Sequence, residues 1–253
     1  MLEISFQPEY ILKIGLFSVS NTLFCSWLTT IILVGSALLV KRKIKKIPEP
    51  ESLQNFFEAL IEYFLKFIDN ITRSRKLTKK LFPLITTFFL FIGTANFLGL
   101  IPGFLGAFTV NTEKGNIPLL RTPNSDLNST LALAFISVVS IQYFGIRMMG
   151  IKKYLKRFFN FANPIKLIIG IFELISDFTK ILSLSLRLFG NVLAGEVLLM
   201  VIAFLIPYFI PLPFMILELF VGVIQAFIFA TLSLVFIKSA ETEYFIRKER
   251  SSQ

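Results

Sequence analysis

The sequence predicts an all-α polytopic membrane protein with about five transmembrane helices, of which the last two form a long, strongly tilted hairpin, and one amphipathic surface helix. Of the 253 residues, 55% are hydrophobic, compared with roughly 45 to 50% in soluble domains. The apolar residues form long runs separated by basic clusters, and prolines interrupt the longest run. Thirty phenylalanines would promote aggregation in water, whereas hydrocarbon solvates them readily. The chain is therefore expected to lie in a bilayer.

Four apolar stretches are long enough for a membrane crossing, which needs about 20 residues. They are residues 20–40, 81–104, 127–149 and 164–237. The fourth stretch contains Pro207, Pro211 and Pro213, and proline interrupts a helix because it has no backbone N–H. We therefore expect a turn there, between spans at 164–205 and 213–240, which brings the number of spans to five.

The first arm of this hairpin is longer than an upright crossing requires. Asn163 and Pro164 provide an N-cap and a first-turn proline for a helix over residues 164–205. Such a helix would extend about 63 Å, whereas the hydrocarbon core is about 30 Å thick. It must either tilt strongly or break, and a tilted helix pair exposes a long flank to a partner.

Basic residues are concentrated in alternate connections between the spans. Eleven lysines and arginines lie between the first and second spans, but only Lys114 and Arg121 lie between the second and third. Because cytoplasmic loops are enriched in basic residues, we expect the amino terminus outside and the carboxyl terminus inside. The net charge of +10 therefore reflects orientation, and no nucleic-acid partner is expected because the basic residues form no arm or stripe.

The first inside connection contains a second kind of helix. Apolar residues recur at helical spacing over residues 51–72, beside Glu58, Glu62 and Lys66. This pattern is typical of an amphipathic helix that lies on the membrane surface and contacts lipid. The whole chain, 1–253, is expected to form a single membrane domain.

The sequence also excludes several kinds of chemistry. Cys25 is the only cysteine and histidine is absent, so the chain can build no disulfide, no zinc site and no Ser-His or Cys-His pair. We therefore expect no metal, no cofactor and no catalytic residue.

Six ionisable side chains interrupt the apolar sequence of the hairpin. They are Glu173, Asp177, Lys180, Arg187, Glu196 and Glu218. A charge at the bilayer centre costs about 2.5 to 3.5 kcal/mol on insertion scales, so each should pair, face water or have a function. Glu173, Asp177 and Lys180 have the spacing of ion pairs within one helix. Arg187 has no acidic residue three or four positions away, so its counter-charge must come from another helix or another chain.

Small residues accompany Arg187 along one side of its helix. Ser176, Ser183 and Gly190 recur every seven residues, with Lys180, Arg187 and Ala194 interleaved. Such a flank lets a neighbouring helix approach closely, and packing of the hairpin against itself is the alternative explanation. Glu196 lies nine residues beyond Arg187, which places it about 180° around the helix and roughly 13 Å along it.

The second arm carries Glu218 and Gln225, which are seven residues apart and share a face. Carboxylates on both sides of a fixed arginine suggest two separate aqueous paths with a charge barrier between them.

The segment around Arg187 resembles a known signature. Residues 183–196, SLSLRLFGNVLAGE, are similar to the signature of subunit a of F-type ATP synthases. Further similarity to this family lies at Ala95–Gly103, Thr122–Pro123, Ser125–Ala134 and Ile224–Leu232, so the resemblance covers most of the chain from about Pro48 to Glu243.

This resemblance implies roles for individual residues. Arg187 would face the ring of c subunits, attract each c-subunit carboxylate so that it releases its proton, and block direct leakage between two half-channels. The residues that match polar half-channel positions are Asn191, Glu196, Glu218 and Gln225, and Glu173 matches a further family carboxylate. Family members often have histidine at the position of Glu196 or Glu218. Glutamate at both positions is more typical of bacterial or chloroplast members than of mitochondrial ones.

Three further residues have two interpretations each. Asp126 and Asn128 match family positions, but a helix cap would explain them as well. Lys180 is either a channel residue or the partner of Asp177 and Glu173 in local ion pairs.

The resemblance also implies partners and a location. The expected partners are the c-ring, a b-type peripheral stalk subunit, the rest of the ATP synthase and membrane lipid. The translocated ion would be H⁺, with Na⁺ as the alternative, and the chain itself would be non-catalytic. We expect a multi-pass protein of the bacterial plasma membrane, with the thylakoid or the mitochondrial inner membrane as alternatives. The competing function is a free-standing ion-coupled transporter, for which inverted repeats are expected, and the sequence shows no internal repeat.

Overall fold

The structure, a computed structural model, describes residues 10–14, 17–43, 53–100, 109–112, 115–118, 121–158, 164–206 and 209–250. Seven α-helices occupy most of these ranges. They are α1 (Asn21–Lys43), α2 (Leu53–Thr72), α3 (Arg75–Leu100), α4 (Leu127–Met149), α5 (Ile151–Phe158), α6 (Pro164–Leu205) and α7 (Pro211–Arg250). A 3₁₀ turn at Pro123–Ser125 precedes α4.

Five of the described helices are long and apolar enough to cross a membrane, namely α1, α3, α4, α6 and α7. The prediction of an all-α polytopic membrane protein is thereby confirmed. Two short antiparallel hairpins, which the sequence did not predict, lie before α1 and between α3 and α4. Their strands are β1 (Tyr10–Ile14) with β2 (Phe17–Ser20), and β3 (Thr109–Thr112) with β4 (Gly115–Pro118).

The hairpin of α6 and α7 contains the longest helices. Helix α6 is continuous over 42 residues, or about 63 Å. The predicted alternative in which this helix breaks is therefore not observed. Helix α7 begins at Pro211, two residues before the predicted span, because a proline at the first helical position has no hydrogen bond to lose. Asn163 and Pro207 lie outside the described residues.

The buried core lies where α3, α4, α6 and α7 meet, with α3 and α7 in the most extensive contact. Its members recur at three- and four-residue intervals along each helix, as expected for one face of an α-helix. They include Leu81, Ile85, Phe88 and Ile92 of α3, Ala134, Val138 and Ile141 of α4, Leu184, Leu188 and Val192 of α6, and Ala226, Ala230, Leu234 and Ile237 of α7.

Helix α2 packs beside this core and keeps a polar side. Phe64 and Ile68 are buried, and the Phe64 ring lies 4.7 Å, centroid to centroid, from that of Phe89 on α3. On the other side, Glu62 and Lys66 form an exposed ion pair. This division between faces is the one that an amphipathic surface helix requires.

Candidate functional site

Arg187 lies on an exposed flank of α6. Its guanidinium is 3.4 Å from the Ser183 hydroxyl, one turn earlier. Within the described ranges, no carboxylate lies within 4 Å of Arg187. The exposed members of this flank are Ser176, Ser183, Arg187, Gly190, Asn191 and Ala194, and we call these six residues the open flank.

The open flank is smooth because its side chains, apart from that of Arg187, are short. A Cβ placed on Gly190 would meet nothing within 4 Å. The neighbouring residues Leu184 and Leu188 are buried in the core instead, so the hairpin packs with a different side of α6. The small residues of this flank are therefore not explained by packing of the hairpin against itself.

Lys180 is the member of the predicted flank that does not lie open. It forms an ion pair with Asp177, with 2.7 Å between Nζ and Oδ1, and the predicted pairing of these two residues is confirmed. Glu173 lies one turn before Asp177 and is half-buried.

Glu196 lies on the covered side of α6, as its offset from Arg187 predicts. Its side chain is 12% exposed, and its Oε2 lies 3.7 Å from Nε of Arg121. Thr122 and Ser125 also face this carboxyl group. From its sequence, Arg121 was expected to be only a loop charge, and its ion pair with Glu196 was not predicted. The available signal was that Arg121 is one of two basic residues between the second and third predicted spans and directly precedes a polar segment.

Glu218 approaches Glu196 from α7. The two carboxyl groups are close enough to interact electrostatically. A Cβ placed on Gly195 would lie 2.5 Å from Oε1 of Glu218, so the missing side chain at position 195 makes room for this carboxyl group. One oxygen of each, Oε1 of Glu196 and Oε2 of Glu218, is buried and makes no hydrogen bond within the described part of the chain.

Two asparagines extend this polar region toward α3, and both were missed from sequence. Asn124 donates to Oδ1 of Asn96 at 2.7 Å, and Asn96 donates to the carbonyl of Gly222 at 3.1 Å. Oδ1 of Asn124 is buried without a hydrogen bond to any described residue. Three orphaned oxygens thus lie in the region where α3, the 3₁₀ turn, α6 and α7 meet. Buried polar atoms of this kind require water or a proton.

Asp126 is the N-cap of α4. Its Oδ1 accepts a hydrogen bond from the backbone N–H of Asn128, and its Oδ2 accepts one from the Thr22 hydroxyl, each at 2.9 Å. Both oxygens of Asp126 thus have structural partners. Asn128 is exposed, and Gln225 is half-buried on α7, three residues after Gly222.

Comparison with known proteins identifies the family. The family model described as "ATP synthase A chain" matches residues 23–238. The chain belongs to the ATP synthase A chain family. It is 34% identical over 224 residues to "ATP synthase subunit a 2" of Picosynechococcus sp., a match that covers 88% of this chain and 87% of the relative. It is 36% identical over 227 residues to "ATP synthase subunit a" of Gloeobacter violaceus, covering 88% and 85%.

Membership of the ATP synthase A chain family agrees with the helices and with the location. Five apolar helices and cyanobacterial relatives make the chain a multi-pass protein of a bacterial or thylakoid membrane. The motif that suggested this family from sequence, residues 183–196, includes both Arg187 and Glu196.

Proposed function

We propose that this chain is the stationary ion-translocating subunit of an F-type ATP synthase, which forms two offset half-channels against a ring of c subunits. The observation that carries the proposal is the position of Arg187. It is an exposed cation on the smooth flank of an apolar helix, with no acidic partner among the described residues. Because a charge in hydrocarbon is costly, a surface of this kind calls for an acidic partner in another subunit.

The chemistry of the open flank follows from electrostatics. A c-subunit carboxyl group that approaches Arg187 is stabilised in its ionised form, so it releases its proton to one path and accepts a proton from the other after it has moved on. The fixed positive charge also repels a proton that would cross directly between the two paths. Proton flow in this arrangement moves the ring, and ATP synthesis takes place elsewhere in the complex.

The outer half-channel in this proposal passes through the region of Glu196 and Glu218. Their buried oxygens without hydrogen-bond partners, together with that of Asn124, favour a water-filled path between the helices. Glu173, on the inner half of α6, is the corresponding candidate for the inner path. Asn191 and Gln225 are placed on the open flank and on α7, where they would border the route of the ion.

The remaining parts of the proposal concern partners. A stationary subunit must be held against rotation, so we assign a b-type peripheral stalk subunit and the rest of the ATP synthase as partners, with lipid around the apolar faces. We propose H⁺ as the ion. We assign no catalytic residue to this chain.

The test is ATP-driven proton pumping by the reconstituted complex. Arg187→Ala is expected to reduce pumping to background, while Arg147→Ala, which removes an exposed arginine that stacks on Tyr143 at 5.9 Å, is the matched control and should pump normally. Normal pumping by Arg187→Ala would refute the proposal.

A second measurement separates the proposal from a free-standing transporter. Liposomes that contain this chain without a c-ring are expected to show no proton flux above that of empty liposomes, because each half-channel ends at the ring. Flux from the chain alone would favour the transporter.

A further inference from the structure

Asp177 and Lys180 form an ion pair within α6 that neighbouring helices partly cover, unlike the exposed pair on α2. The Asp177 and Lys180 side chains are 14% and 23% exposed, whereas those of Glu62 and Lys66 are 66% and 71% exposed. Exposed pairs are screened by water and contribute little. A covered pair keeps its geometry only if neighbouring groups satisfy its remaining hydrogen-bonding capacity.

Lys180 on the same helix and Gln142 on a neighbouring helix together satisfy the Asp177 carboxylate. Its Oδ1 accepts from Lys180 and its Oδ2 accepts from Nε2 of Gln142 on α4, each at 2.7 Å. The Tyr154 hydroxyl on α5 donates to Oε1 of Gln142 and thereby orients the amide. Gly145 provides space for this arrangement, because a Cβ there would lie 2.6 Å from Cε2 of the Tyr154 ring.

The same arrangement draws the lysine away from the open flank. Lys180 Nζ lies 5.4 Å from the centroid of the Phe236 ring on α7, a distance at which a cation is attracted to the ring face. Lys180 is seven residues before Arg187, so the two backbone positions lie on nearly the same side of α6, about 10 Å apart along the axis. Arg187 is nevertheless exposed, whereas Lys180 is covered and paired.

We propose that Asp177, positioned by Gln142 and Tyr154, neutralises Lys180 and holds it toward α7, so that Arg187 is the cation that a passing carboxylate meets on the open flank. This inference rests on the proposed function. A free Lys180 would provide a second attractive position about 10 Å from Arg187. For unit charges at that separation, with an effective dielectric constant of about 20, the preference for the ionised carboxylate would change on the order of tenfold.

The experiment compares charge variants in the assembled complex, with ATP-driven proton pumping normalised to the amount of assembled subunit. Asp177→Asn, which frees the lysine, should lower pumping about tenfold. Addition of Lys180→Met to that variant should restore most of the loss, because the second cation is then gone. Glu62→Gln is the matched control, because it removes the acidic partner of Lys66 from an exposed ion pair. This variant should pump normally.

Variants of the positioning residues provide a second, graded comparison. Gln142→Ala and Tyr154→Phe keep both charges, so each should lower pumping less than Asp177→Asn does. The loss should be larger for Gln142→Ala, because Gln142 contacts Asp177 directly, than for Tyr154→Phe. Tyr143→Phe removes an exposed hydroxyl from α4 and serves as the control for Tyr154→Phe. If Asp177→Asn prevents assembly, Gln142→Ala with and without Lys180→Met decides the question in the same way.

Two results would overturn this inference. One is normal pumping by Asp177→Asn, and the other is a double variant that pumps no better than Asp177→Asn, which would show that the carboxylate itself is needed. Arg187→Ala, measured in parallel, keeps the two proposals apart. If it abolishes pumping while Asp177→Asn pumps normally, only the present inference fails.

Discussion

Glu196 and Glu218 differ in what surrounds them, although both are glutamates in apolar helices. Glu196 has the cation of Arg121 beside it, at 3.7 Å. Glu218 lies over the backbone of Gly195 and close to the other carboxyl group. The space at Gly195 therefore determines how closely the two carboxyl groups approach.

Gly195→Ala is expected to impair pumping more than it impairs assembly. The new methyl group would lie within 3.0 Å of three atoms of the Glu218 side chain, which must move, and overpacking of this kind costs about 1 to 3 kcal/mol. The measurements are ATP-driven proton pumping and the yield of assembled complex. Gly35→Ala on α1 is the control, because a Cβ there meets nothing within 4 Å. Equal pumping by the two variants would contradict a role for this contact.

Residues with an unusual local sequence environment could be predicted, and residues defined by contacts between distant segments could not. Arg187 stands out because no acid lies within a turn of it in a long apolar run. The partnership of Arg121 with Glu196 joins residues 75 positions apart and depends on how the 3₁₀ turn packs against α6. Asn96 and Asn124 are ordinary polar residues in the sequence, and only the fold joins Asn124 to Asn96 and Asn96 to Gly222.

At the scale of helices, α1 is attached to the start of α4 near its own amino-terminal end. The Thr22 hydroxyl donates to Asp126, the N-cap of α4, and both residues are buried. This contact fixes the start of α4 and the 3₁₀ turn before it, which carries Thr122 and Ser125 toward Glu196.

Thr22→Val is expected to destabilise the chain by about 1 to 3 kcal/mol, because Oδ2 of Asp126 would stay buried without its donor. Thermal unfolding in detergent measures the effect. Thr30→Val is the matched control, since that hydroxyl is exposed and bonds only within its own helix, to the Ser26 carbonyl. If both variants unfold at the temperature of the unchanged chain, the link between α1 and α4 does not contribute to stability.

The existence of the long helices could be predicted from the sequence more reliably than the positions of their ends. Apolar residues that recur every three or four positions in the sequence of α3, α4, α6 and α7 are the ones buried in the core. The start of α7 was placed two residues late because Pro211 was assigned to the turn. The β3–β4 hairpin is short and has no marked turn motif, so little in its sequence distinguished it from a loop.

For the whole molecule, the orientation in the membrane stays a prediction from the basic residues. Three candidate spans, α3, α4 and α6, separate the end of α2 from the turn before α7. An odd number of crossings places these two points on opposite sides of the membrane. The basic clusters then assign the end of α2 to the inside.

Cysteine labelling in sealed vesicles tests this orientation. Cys25 is the only cysteine, so a Cys25→Ala background accepts single cysteines at exposed positions. Phe209→Cys, at a residue that is 82% exposed, should react with a membrane-impermeant maleimide added outside. Asn70→Cys should react only with reagent on the inside. Reaction of both from the same side would show that the assigned number of crossings is wrong.

Arg187 also makes the isolated chain expensive to keep in a bilayer. Until a partner covers the open flank, its guanidinium costs about 2.5 to 3.5 kcal/mol on insertion scales, or draws water into the hydrocarbon. A copy whose open flank is uncovered is therefore less firmly inserted than one whose flank is covered by an acidic partner. If Arg187 has the function proposed for it, the same charge would also favour assembled copies of the chain over unassembled ones.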